Sequence, residues 1–107
     1  MRTTEPTELR EIIEEEIDAT ELDFPDSTRT RNALSRVLDK LGHENYNFTP
    51  TEKSAIKYAL QDVGELYLFA GTSAGFDAET VGEENVERHR NIGRLAREQA
   101  YQLGIRL

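Results

Sequence analysis

Three arginines and a tyrosine, Arg90, Arg94, Arg97 and Tyr101, recur at intervals of four, three and four residues. In a helix this spacing places all four along one face. Guanidiniums so aligned can grip carboxylates or follow a phosphate backbone. A second set, Glu11, Glu15 and Asp18, repeats the first two intervals with the opposite sign. Each stripe is the electrical complement of the other. They can face water, pair within the chain, or join neighbouring copies. Exposed single pairs contribute only about 0–1 kcal/mol, so a whole stripe matters more than any one pair in it.

Other chemistries find little support in the residue types. The chain has no Cys and only two histidines, His43 and His89. Thiolate zinc sites and cysteine nucleophiles are therefore excluded. No Gly-x-Ser-x-Gly motif is present, and nothing sets a histidine beside a nucleophile as a triad requires. His89 falls at the border of an apolar stripe and is expected to be structural. The run Gly71-Thr72-Ser73-Ala74-Gly75 lacks the Lys and the spacing of a phosphate-binding loop, and is expected to be a plain connection. Carboxylates for a metal exist at Glu11, Glu14, Glu15, Asp18, Asp62 and Glu65. Ligands must converge, however, and most acids of the first segment turn away from its apolar side. No Glu-x-x-His pair accompanies them. No catalytic residue, cofactor or metal is expected.

The net charge of −8 is concentrated at one end of the sequence. Residues 1–26 hold ten acids against Arg2 and Arg10, whereas residues 27–107 are balanced at eleven of each sign. Residues 77–87 carry five acids and no Lys or Arg, and arginines dominate from Arg88 onwards. Acids first and bases last also suit the dipole of a helix running through both stretches. The acidic total opposes steering towards nucleic acid.

These residues must be positioned by helices. Leu, Ile, Val and Phe number 25 of 107, enough for a lean core and one domain. Leu9, Ile12, Ile13 and Ile17 make a narrow stripe, predicting a helix over about 7–19, capped by Thr4 or Thr7. Phe24 before Pro25 ends it in extended conformation, and its ring is expected to tuck under the bundle. Ala33, Leu34, Val37, Leu38 and Leu41 predict a second helix over about 27–41. Asp26 or Ser27 is its cap, and Gly42 its left-handed terminator. Thr49-Pro50-Thr51-Glu52 reads as a capping box opening a third helix over about 50–70. Its end, Leu66, Tyr67, Leu68 and Phe69, is apolar on every side, so Leu66, Leu68 and Phe69 are a candidate apolar contact. Tyr46, Phe48, Tyr58 and Phe69 are expected to be exposed. The last helix is predicted to begin at Asp77 or, by a second capping box of Thr80 with Glu83, at Thr80, giving a span of about 80–103. Gly93, Ala96 and Ala100 admit a close neighbour there, and Gly104 followed by Ile105 predicts a Schellman end.

The expected fold is all-α, a four-helix bundle-like single domain with antiparallel neighbours. The expected role is non-enzymatic: a small structural or adaptor subunit acting through protein–protein contacts in an oligomeric assembly, of which a virion connector is one example. Its partners would be copies of itself or other subunits, with no membrane involved. The contact residues would be Arg90, Arg94, Arg97, Tyr101, Glu11, Glu15, Asp18, Leu66, Leu68 and Phe69. The first alternative is a nucleic-acid-binding regulator using the basic stripe, and the second is a carboxylate metal-dependent hydrolase. The acidic start is unlike a signal peptide, and no apolar run approaches the roughly 20 residues that span a bilayer. An intracellular location, or one within a viral particle, is expected.

Overall fold

The computed structural model describes residues 6–107. The predicted cap at Thr4 lies outside them. Helix α1 (Thr7–Asp23) starts after Pro6 and buries Leu9, Ile12, Ile13, Glu16 and Thr20 along one edge. It runs four residues past the predicted end because its last carbonyls find donors. The Arg31 guanidinium donates to the carbonyls of Thr20 and Phe24 at 3.1 and 2.8 Å and to that of Pro25 at 2.7 Å. One planar fork thus satisfies the open end of α1 and pins the corner that follows.

After four residues, α2 (Thr28–Gly42) folds back on α1 and buries Ala33, Leu34, Val37 and Leu41. Gly42 remains helical, and the left-handed residue that ends the helix is Glu44, with φ 54°. The Asn45 N–H bonds back to the Lys40 carbonyl at 2.8 Å and holds Glu44 in that conformation.

Helix α3 (Pro50–Gln61) opens with the predicted capping box. The Glu52 N–H donates to the Thr49 hydroxyl, and the Thr49 N–H donates to the Glu52 carboxylate at 2.9 Å. Glu52 is itself buried and accepts from Lys40 and Arg36 on α2. Burial alone would raise its pKa. The Lys40 bond, the Thr49 N–H and the Arg36 bond outweigh burial and hold it below the usual carboxylate value. A single side chain therefore caps α3 and ties it to α2.

The predicted helix over 50–70 is two helices. At Asp62 the backbone leaves helical geometry (φ −100°, ψ −91°), and α4 (Val63–Leu68) sets off afresh. The break lets α4 pack against both α3 and the last helix. The last predicted helix is divided as well. Of the two predicted starts Asp77 is used: it caps a single turn, α5 (Ala78–Val81), by accepting from the Glu79 N–H at 3.0 Å. Gly82, with φ 87°, stops it, because few side-chain-bearing residues adopt that backbone. A short 3-10 turn (Glu83–Asn85) leads into α6 (Val86–Gln102). Its end is the predicted Schellman motif. Gly104 has φ 87°, and the Ile105 N–H reaches the Ala100 carbonyl at 3.0 Å, turning Ile105 into the core.

The fold is all-α, with neighbouring helices packed together and no strand among the described residues. Helix α6 lies between α1 and α4. Gly93 makes the second contact possible, since a Cβ there would stand 2.6 Å from the Leu68 backbone nitrogen. Helix α1 runs antiparallel to α6. The Leu9 N–H donates to Gln99 Oε1 at 3.0 Å, and Gln99 donates to Glu8 at 2.6 Å, whereas Glu11 and Glu15 further along α1 share the surroundings of Tyr67 with Arg88 near the start of α6. None of the helices among the described residues is long and apolar enough to cross a membrane.

Two substitutions test this architecture by denaturant unfolding. Gly93→Ala is expected to cost about 1–3 kcal/mol, because the added methyl meets backbone that cannot swing aside. Glu44→Gly is expected to gain about 1 kcal/mol by relieving a left-handed residue.

Candidate interaction surface

The arginines of α6 meet different fates. Arg90 is half-buried and donates from Nε to the Ala70 carbonyl at 2.8 Å, so it closes the end of α4. Arg97 is half-buried beside Glu65 at 3.5 Å, and its buried Nε–H has no acceptor. Arg94 is exposed and bonds Asn91 at 2.7 Å on its own helix. Tyr101 is exposed. The face thus exists as spaced, but the fold employs two of its three guanidiniums internally.

On α1, Glu15 and Asp18 are exposed, and Glu11 is half-buried in a shallow cleft with Arg88 and Asn91. Among the described residues neither Glu15 nor Asp18 forms an ion pair with a Lys or Arg. The two stripes therefore do not neutralise one another within the chain.

The apolar candidates divide. Leu66 and Leu68 are half-buried, Leu68 beneath Gly93, and only Phe69 is exposed. Phe48 is buried and Tyr46 half-buried, contrary to expectation, because the chain after α2 folds them onto the core. Tyr58 is exposed as expected. His89 is structural. Its ring stacks on Tyr67 at 5.1 Å, with Phe76 edge-on, and its Nδ1–H donates to the Asn85 carbonyl at 2.8 Å. Burial, followed by the nearby Glu15 and Glu11, pushes the Tyr67 hydroxyl up to about 12, so it stays protonated.

Phe24 does not tuck beneath the bundle. It is 60% exposed at the corner whose backbone Arg31 holds, and Leu22, on the face of α1 opposite Leu9, is 83% exposed. Glu21, Asp23 and Asp26, their close neighbours in sequence, are exposed as well. This acidic, apolar knob lies at the end of α1 and was not legible as a site, since Phe24 read as a core residue. At the far end of α6, Tyr101 and Leu107 are exposed at 65% and 53%. With Arg97, Arg106 and buried Ile105 they line a cleft of about 370 Å³. Because α1 and α6 are antiparallel, knob and cleft sit at opposite ends. The fourteen helical steps from Leu9 to Asp23 alone separate them by about 21 Å.

A further residue escaped the sequence reading. Glu16 is fully buried in the apolar edge of α1, and neither carboxyl oxygen makes a hydrogen bond of ordinary geometry. Its spacing from Leu9, Ile12 and Ile13 by seven, four and three residues is the signal that places it there. Burial, and then the Asp62 carboxylate at the break between α3 and α4, raise its pKa to about 8 against the opposing pull of the Val63 N–H. Only the protonated form can donate an O–H towards Asp62. Among the described residues no group of three or more His, Cys, Asp or Glu is placed to hold a metal ion.

The chain matches no protein-family model, no curated protein and no solved structure at a significant level.

The Glu16 environment sets a pH dependence. With its pKa raised from 4.5 to about 8 on folding, Glu16 contributes fully below pH 4.5 and loses that contribution as pH rises through 8. The decline is on the order of a few kcal/mol. Glu52 acts with the opposite sign, its contribution fading as pH falls below 4.5, outside this window. Melting temperature should therefore fall between pH 4.5 and 8, and Glu16→Gln should flatten the fall. A wild-type profile that is level over this range would refute the assignment.

Proposed function

We infer that the chain is a small, non-enzymatic structural or adaptor subunit that works through protein–protein contacts in an oligomeric assembly. One observation carries this role: large apolar side chains remain in water at both ends of the α1–α6 pair, beside acids at one end and arginines at the other. Exposed apolar groups ringed by charge are what a protein contact uses, because burial supplies affinity and charge supplies orientation. Arg90 and Arg97 already bond groups of the chain itself, which leaves less of the basic face for nucleic acid. A connector-type component of a viral particle is one setting for a subunit of this size.

Light scattering across protein and salt concentrations tests the role. Species larger than the monomer are expected at low salt, weakening as the Debye length shrinks from about 10 Å at 0.1 M to about 3 Å at 1 M. A monomer at every protein concentration would overturn it.

A further inference from the structure

The two ends of the molecule expose apolar side chains beside charges of opposite sign. The knob presents Leu22 and Phe24 at a corner held by three Arg31 hydrogen bonds, so it is displayed on a fixed backbone. Its neighbours in sequence, Glu21, Asp23 and Asp26, are exposed acids that outnumber the Arg31 guanidinium bound at the corner. The cleft at the end of α6 offers the reverse: an apolar floor at Ile105, walls from Tyr101 and Leu107, and guanidiniums at Arg97 and Arg106. Arg97 is held by one contact, with Glu65 at 3.5 Å, and its side chain keeps 31% exposure although its Nε–H is buried. The cleft's shape is set by the Schellman turn, which drives Ile105 inward and carries Arg106 and Leu107 back beside Tyr101.

We propose that the Leu22/Phe24 knob of one copy seats in the Arg97/Tyr101/Arg106 cleft of a second copy. The occupant is another copy because this same chain carries, at its opposite end, an exposed apolar pair in an acid-rich stretch, opposite in sign to the cleft's arginines. The proposal rests on the assembly role above and specifies its geometry. Knob and cleft are different surfaces, so the contact is heterologous. Each added copy leaves one free knob and one free cleft, and growth continues until a ring closes or a filament forms. A symmetric pair that uses one surface twice does not arise from this contact. The apolar side chains provide the burial, and Asp23 and Asp26 approach Arg106 and Arg97 to set the register.

Two variants, each blocked at one end, test it. Leu22→Ser with Phe24→Ser removes the knob, and Tyr101→Glu with Arg106→Glu closes the cleft. All four positions are exposed, so both variants should melt as the wild type does. In sedimentation velocity the wild type should form a concentration-dependent series. Each variant alone should self-associate roughly tenfold or more weakly, as expected when a central contact is lost. An equimolar mixture should recover a discrete 1:1 dimer, because one intact knob meets one intact cleft. If a double variant loses the fold, Phe24→Ser and Arg106→Glu alone carry the same comparison. Variants that assemble like the wild type, or a mixture that stays monomeric, would overturn the docking and leave the assembly role standing. A wild type that stops at a symmetric dimer would do the same. A wild type that is monomeric throughout would overturn both.

Discussion

The narrowness of the apolar edge on α1 governs the arrangement of the whole chain. Leu9, Ile12 and Ile13 are fully buried, and helices α2, α3, α4 and α6 all pack against this helix. So thin a stripe can be covered in only one rotational setting, because a turn of the helix in either direction would bury Glu14 or Glu15 unpaired. Burying an unpaired carboxylate costs far more than the stripe gains. The acidic face is consequently committed to solvent, and its direction is decided by the hydrophobic side.

Polar side chains secure the ends of that helix. Gln99 on α6 bridges Glu8 and the Leu9 amide at the start, and Arg31 on α2 takes the carbonyls at the finish. Glu52 performs the comparable task between α2 and α3. In a chain with few large apolar residues, such hydrogen-bonded joints fix the angles that a bigger core would fix by packing. They also explain why Leu22 and Phe24 can project into water from an ordered corner: the backbone beneath them is satisfied without their burial.

Glu16 is the exception to the partition of charge. It lies within the apolar edge, unpaired, beside the kink at Asp62. Keeping its proton across most of the physiological range lets the helix close around it, so the core tolerates a titratable group at the cost of a pH-sensitive stability. The kink itself serves packing. It turns α4 so that Leu68 can meet Gly93, a contact closer than any side-chain-bearing residue at that position would permit.

Helical class, the α3 capping box, the Schellman turn at Gly104 and the opposite signs of α1 and α6 were legible in the sequence alone. Each is a local property, written in residues within one or two turns of each other. The kink at Asp62, the division before α6, the left-handed Glu44 and the outward Phe24 were not. They depend on partners distant in sequence: Leu68 against Gly93, Arg31 against the end of α1. Which arginines stay free was equally hidden, since Ala70 and Glu65 claim Arg90 and Arg97 only once α4 lies on α6. Spacing determines which face of a helix a residue occupies. Only the packed neighbours decide whether that face meets water, another helix, or both.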